Sequence, residues 1–374
     1  MTLAPREADS VTGVTDRPLR VLVIFGGRSS EHEISCLSAA GVLRALDRAR
    51  YDARAVGILP DGRWVSAPDD PDLITATGGR SLPSVVDSGE HAVLLPEPPG
   101  DHALAEAISG VDVVFPVLHG PWGEDGTIQG LLEMAGVPYV GSGVFSSAAS
   151  MDKGHMKAML AHAGLPIGDY VMVTPRDRQR NDEVRSRVTN LALPWFVKPA
   201  RAGSSVGITR VTDPLDLDAA LAEALRWDPR VIIEAGIAKA REIECGVLAD
   251  ADGTPIASRC AEIRVRPGRD FYDYEAKYLD DAADLIVPAE LPVHIEDEVR
   301  ALAVRAFDAL DCEGLARVDF FVTDDTIVIN EVNTMPGFTP ISMYPRMWAA
   351  TGVDYAELID RLIADAVRRG TGLR

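Results

Sequence analysis

Several features are scarce in this 374-residue chain. Cysteine occurs four times (Cys36, Cys245, Cys260, Cys312), with no CxxC pair and no histidine at zinc spacing. That excludes a disulfide framework or a zinc knuckle and leaves four buried thiols of a reducing compartment. Basic side chains are outnumbered 37 to 57, a net charge of −20. This argues against the clustered Lys and Arg of a nucleic-acid footprint, although a few placed cations can still hold an anionic small ligand. No apolar run approaches the ~20 residues that span a bilayer. The first 17 residues mix Arg, Glu and Asp without an apolar core, which reads as a solvated tail rather than a signal peptide. No GxxxxGK[ST] loop occurs, and Gly141-Ser-Gly143 has Ser146 where a third glycine of GxGxxG would stand.

What is present is an ordinary globular composition, 47% hydrophobic and 25% charged. At roughly 150 residues per domain, the length allows two or three domains. The expectation is a soluble, cytoplasmic α/β protein with no nucleic-acid or membrane partner. Leu19–Phe25 is a continuous apolar run ending in Gly26-Gly27, as a buried parallel strand feeding a ligand loop should look. Ser30 and Glu33 match a capping box for the helix that follows. Runs at 53–59 and 111–118 repeat the strand theme, so the first 140 residues read as an open α/β sheet. Residues 66–101, rich in Pro, Gly, Asp and Ser, read as an irregular surface insertion. A helix is expected over 152–163, strands at 194–198, 231–234, 242–248 and 256–264, a helix near 295–311, and a hairpin at 315–333.

The hairpin carries chemistry. Arg317 and Asp319 share one face of their strand, as do Glu331 and Asn333. A two-residue turn at Asp324-Asp325 would send the pairs to opposite faces. A three-residue loop, Asp324-Asp325-Thr326, sets Asp319 opposite Glu331 and Arg317 opposite Asn333, with Val318, Phe320 and Val332 packed behind; this is the arrangement expected. Its hard oxygen donors beside a phosphate suit Mg²⁺. Taken alone, the same alternation also fits a solvated edge hairpin. Lys198 followed by Gly203-Ser-Ser-Val-Gly207 offers a point charge and small residues for a phosphate, or simply a strand-to-loop turn. His119-Gly-Pro-Trp-Gly-Glu-Asp-Gly126 is a tight loop at a strand end, where α/β ligands sit, or an ordinary connection. Residues 271–278 (FYDYEAKY) fit a lid or an edge strand.

In order and spacing these motifs, with Phe25-Gly-Gly-Arg-Ser-Ser-Glu-His-Glu-Ile-Ser35, Met151-Asp-Lys153 and Asn330-Glu-Val-Asn-Thr-Met-Pro-Gly337, closely resemble the D-alanine–D-alanine ligases of the ATP-grasp superfamily. The resemblance runs from about residue 20 to the C-terminus. It implies a three-domain ATP-grasp ligase. After a tail at 1–17 would come an N-terminal open α/β sheet domain (18–143), a central domain (144–238) and a C-terminal domain (239–374) carrying a lid at about 264–281. ATP would lie between the last two. It implies ATP-dependent ligation of two D-alanines through an acyl phosphate for peptidoglycan precursors, with two Mg²⁺ ions (Mn²⁺ able to substitute) and a homodimer.

By position, Lys153 and Lys198 would contact ATP phosphates with the Gly203–Gly207 loop, including Ser205, closing over them, and Lys277 would also bind ATP. Glu234, Ala235 and Ile237 would line the adenine, and Glu242 would take the ribose. Asp319, Glu331 and Asn333 would hold metal. Glu31 would bind the first D-alanine's ammonium in a triad with Ser204 and Tyr278. Arg317 and the Gly337 N–H would stabilise the oxyanion, His119 would line the substrate, and Ser342 with Met343 would receive the second amino acid. In the family, tyrosine at the Tyr278 position goes with an amine acceptor, and phenylalanine with D-lactate. The Glu234–Glu242 segment is one residue longer than the family's usual spacing. Rival readings are a ligase for another acceptor, D-lactate or D-serine, and a nucleotide-binding module without activity. The latter would have no reason to fill every charged position.

Overall fold

The computed structural model describes residues 17–76, 82–90, 110–177, 181–265 and 283–372. Lys277, Tyr278, residues 266–282 of the expected lid and 1–16 of the tail lie outside the described residues. Three sheets organise the chain. The first contains β1 (Leu19–Gly26), β2 (Tyr51–Ile58), β3 (Trp64–Ala67) and β4 (Val113–Pro116), in the order β3-β2-β1-β4. β1 pairs in parallel with both β2 and β4, and Val21 through Phe25 are all buried, which is why the run is apolar without alternation. Helices α1 (His32–Ala45), α2 (Pro71–Ile74) and α3 (Thr127–Ala135) accompany it.

The expected capping box does not form. Helix α1 opens at His32 with Glu31 at its N-cap and no side-chain cap bond. The loop is fixed instead by Ser29, whose hydroxyl donates to the His119 carbonyl at 2.7 Å and accepts the Glu31 N–H at 3.1 Å. The stretch at 66–101 is not wholly irregular. It includes the end of β3, and α2 is capped by Asp70 accepting from the Asp72 N–H. Val85 packs into the first core.

Helices α4 (Val144–Met151) and α5 (Lys153–His162) follow, α5 capped by Asp152, which accepts from Gly154 and His155 N–H at 3.1 Å each. The second sheet is antiparallel: β5 (Tyr170–Val173), β6 (Trp195–Pro199), β7 (Thr209–Val211) and β8 (Val231–Ala235), ordered β5-β8-β6-β7. Helices α6 (Asn181–Val188) and α7 (Leu217–Ala224) pack on it. The third is β9 (Arg241–Ala249), β10 (Pro255–Val265), β11 (Ala283–Ile286), β12 (Leu315–Val322) and β13 (Ile327–Asn333), ordered β11-β10-β9-β12-β13, with helix α8 (Val293–Ala309) packed against it. Met156, Leu160 and Leu165 share this third core. Helices α9 (Met343–Thr351) and α10 (Tyr355–Arg369) return to the first core through Tyr344, Trp348, Leu358 and Leu362. The segment joining β13 to α9 is thereby tied between the first and third sheets.

Candidate functional site

The hairpin β12–β13 reaches the expected pairing by another route. Thr323 N–H donates to the Thr326 carbonyl at 2.9 Å, and Val322 lies opposite Ile327 and Phe320 opposite Ile329, the register of a two-residue turn. A bulge then inserts Asn330, and beyond it Asp319 faces Glu331 and Arg317 faces Asn333. The three-residue loop is therefore corrected. The extra residue sits inside β13, and Val318, Phe320 and Val332 are buried behind the polar face as expected. The signal was in the sequence: buried Ile329 and Val332 are three apart, which breaks the two-residue period.

Arg317 donates to both oxygens of Asp319 at 2.7 Å, and Asn333 Nδ2 donates to Asp319 Oδ2 at 3.0 Å. Strand β9 adds a carboxylate the sequence reading missed. Glu244 lies opposite Asp319 and is buried, with its Oε1 at 3.4 Å from Arg317 Nε. Glu242, two residues earlier on the same face, lies opposite Phe321.

Lysines from two elements meet the second sheet. Lys198 on β6 and Lys157 on α5 both pair with Glu234 on β8, at 2.5 Å and 2.8 Å. Burial alone would push the Glu234 carboxyl up, but the two ammonium groups outweigh it and hold it well below the usual range. Likewise burial would lower Lys198, and Glu234 more than compensates. Lys157 was not foreseen, because a lysine inside a helix gives no sequence signal of its burial. Lys153 opens α5, donating to the Ala202 carbonyl at 3.1 Å with Glu331 at 3.6 Å.

The Glu31 carboxylate is boxed in. Ser204 Oγ donates to it at 2.5 Å. A Cβ on either Gly120 or Gly203 would stand 2.7 Å from its Oε2, so a side chain at either position would push the carboxylate aside. Ser204 and Ser205 hold left-handed φ of 49° and 59°, a strain typical of ligand loops. Behind Glu31, the 119–126 loop grips the backbone of Met335. His119 Nδ1 donates to the Met335 carbonyl at 3.0 Å, which leaves Nε2 to accept from Ser38 Oγ at 3.0 Å. Glu124 accepts from the Met335 N–H at 3.0 Å and the Gly120 N–H at 2.7 Å. Burial lowers the His119 pKa, against the pull of Glu31. Burial and the Glu31 charge push Glu124 up to about 8. Two residues past Met335, Gly337 presents its backbone beside Ser342, the N-cap of α9.

A cavity of about 840 Å³ joins these parts. Its walls include every described residue to which the resemblance gives a site role: Glu31, His119, Lys153, Lys198, Ser204, Ser205, Glu234, Ala235, Ile237, Glu242, Arg317, Asp319, Glu331, Asn333, Gly337, Ser342 and Met343. Among the described residues no group of three or more His, Cys, Asp or Glu could hold a metal ion, and no helix is long and apolar enough to cross a membrane.

Known proteins agree with this geometry. Family models for the D-Ala D-Ala ligase N-terminus and C-terminus match residues 20–142 and 159–364. The chain belongs to the D-alanine–D-alanine ligase family. A D-alanine–D-alanine ligase of Mycobacterium sp. (strain KMS) is 56% identical over 368 residues, covering 95% of this chain and 98% of its own. That of Rhodococcus opacus (strain B4) is 57% identical over 367 residues, with the same coverage. Among solved structures, a D-Ala:D-Ser ligase from Enterococcus faecalis superposes with a TM-score of 0.80 at 35% identity, covering 93% of this chain and 99% of that one. The D-alanine–D-alanine ligase from Coxiella burnetii gives 0.76 at 35% identity over 94% of this chain and 95% of that one. These ligase structures share the α/β ATP-grasp architecture of this family member.

Proposed function

We propose that this chain joins two D-alanines to D-alanyl-D-alanine, with ATP converted to ADP and phosphate, for peptidoglycan precursor synthesis. The observation that carries the reading is the single cavity. One end gathers buried cations beside hard oxygen donors, the other holds a boxed carboxylate, and the N-cap of helix α9 also lines the cavity. The first carboxylate must attack an anionic γ-phosphate, so positive charge must be supplied locally in a chain of net charge −20. Lys153 and Lys198 do so, and Lys198 stays charged because Glu234 holds it so. Ser205 and Lys277 join them at the phosphates, Ala235 and Ile237 pack on the base, and Glu242 takes the ribose hydroxyls. Glu31, which accepts from Ser204, holds the first ammonium; Tyr278, the third member of the triad that the family resemblance implies, lies outside the described residues. The second amine attacks the acyl phosphate, and Arg317 with the Gly337 N–H receives the developing oxyanion, while Ser342 and Met343 seat the second substrate. An acyl phosphate is destroyed by water, so the reaction requires a site from which water is excluded.

The donor set at the nucleotide end fits Mg²⁺: two carboxylates and an amide, Asp319, Glu331 and Asn333, all oxygen ligands. Among the described residues there is no closed cage of protein ligands, so these three would hold the metal with positions left open to other oxygen ligands. When bound, Mg²⁺ (or Mn²⁺) neutralises phosphate charge. The family resemblance also supports a cytoplasmic homodimer, which light scattering checks. The likeness to a D-Ala:D-Ser ligase favours one alternative acceptor, D-serine. Phosphate release from MgATP with D-alanine, alone or with excess D-serine or D-lactate, and products weighed by mass spectrometry, decides. Dipeptide as the main product supports the reading, and a dominant mixed product or no D-alanine-dependent release contradicts it.

A further inference from the structure

Arg317 cannot discharge itself, and its side chain is only 15% exposed, so it needs an anionic partner in every state of the site. Here that partner is Asp319, both of whose oxygens accept from the guanidinium at 2.7 Å. In the function proposed above, on which this inference rests, the same carboxylate serves a divalent cation. Arg317 takes one acceptor site on each Asp319 oxygen and Asn333 a second on Oδ2, so a divalent cation must compete with the guanidinium for this carboxylate. The third carboxylate of the patch lies across the sheet. Glu244 faces Asp319 on β9, its side chain is 5% exposed, and its Oε1 stands 3.4 Å from the same Nε that now donates to Asp319. That atom need only close to the ordinary charge-assisted distance of about 2.8 Å to exchange partners. Glu331 also acts on Arg317 electrostatically, but it is itself a metal donor in this reading.

We propose that Glu244 is a positioning residue: the counter-ion that takes over Arg317 when Asp319 turns to a divalent cation, leaving the guanidinium aimed at the reacting carbonyl. Loading of the metal and release of Arg317 from Asp319 are then one event. Glu244→Gln leaves Arg317 with Asp319 as its nearest carboxylate and so strengthens the competition against the metal.

The test is a double-mutant cycle on Mn²⁺ affinity, read by electron paramagnetic resonance with a non-hydrolysable ATP analogue present. It uses the wild-type chain, Glu244→Gln, Arg317→Ala and the double variant, each checked for an unchanged fold by circular dichroism. Glu244→Gln is expected to weaken Mn²⁺ binding about tenfold, within the range of coupling between contacting residues. In the Arg317→Ala background the same change should shift it less than about twofold. Equal weakening in both backgrounds would show Glu244 acting on the metal directly and would overturn the proposal, as would no weakening in either. Should Glu244→Gln not fold, Glu244→Asp takes its place in the cycle. It keeps the charge but draws the carboxylate away from Nε, and its loss must likewise vanish with Arg317. D-alanine-dependent phosphate release by the wild-type chain, measured alongside, reports separately on the parent reading. Release without Arg317–Glu244 coupling sinks only this inference, and absence of both release and nucleotide-dependent Mn²⁺ binding sinks the two together.

Discussion

The two ends of the cavity are built by different means. At the nucleotide end most of the groups stand on strands, Lys153 and Ser205 excepted, and sheet register sets their spacing: Arg317, Asp319, Glu331 and Asn333 on one hairpin, Glu242 and Glu244 on its neighbour. At the amino-acid end they stand on loops, and each is held by a particular polar lock. Glu31 is boxed by two glycines and Ser204, and the loops at 26–31 and 119–126 are pinned together through Ser29. A sheet tolerates the loss of one side chain because the backbone ladder carries the geometry. A loop does not, so substitutions at the two ends should fail differently: in turnover at the strand end, in substrate affinity at the loop end.

Arg317→Ala should give the largest effect, lowering kcat by about 10²–10³ as loss of an oxyanion donor does elsewhere. A loss confined to KM in phosphate-release kinetics would break the comparison. Gly120→Ala comes next. Its Cβ would crowd the Glu31 carboxylate at 2.7 Å, in a left-handed backbone of φ 74°. The KM for the first D-alanine should rise on the order of tenfold or more, for a strain of about 1–3 kcal/mol, with the KM for ATP moving far less. Ser29→Ala removes one donor and one acceptor of the loop junction. It should cost about 1 kcal/mol in urea unfolding and a few-fold in D-alanine KM.

The last effect is on stability and depends on pH. Glu124 has its folded-state pKa raised to about 8. The folded protein therefore holds a proton that the unfolded chain has already released, so this group's contribution falls as pH rises from the usual carboxylate range towards about 8, then levels off. Glu124→Gln should flatten that part of the stability-against-pH curve. An unchanged curve would show that this loop is not coupled to protonation.

The same contrast explains what was legible in the sequence. The strands of the first and third sheets read clearly because apolar runs such as Leu19–Phe25 and the 315–333 hairpin announce themselves, and the charges of the candidate site travel with them. The bulge at Asn330 was also written there, in the broken parity of Ile329 and Val332, although a three-residue turn would give the same pairing of the polar residues. Partnerships across distant segments were not legible. Lys157 meets Glu234 across 77 positions, and Glu244 meets Arg317 across 73, each brought together only by packing. Ser30 has a capping residue's chemistry, yet the loop gives the locking to Ser29 because Glu31 is drawn to Ser204. Family resemblance, rather than periodicity, assigned the separate roles of residues along the cavity.

The central claim is that both ends of the cavity act on one molecule, the first D-alanine, whose carboxylate crosses from the loop end to attack the phosphate at the strand end. D-alanine labelled with oxygen-18 in its carboxylate tests this directly, with the released phosphate analysed by mass spectrometry during dipeptide formation. The account predicts that phosphate leaves carrying an oxygen-18 atom from the substrate. Phosphate free of the label, with dipeptide still formed, would show that the carboxylate never reached the phosphorus and would contradict it.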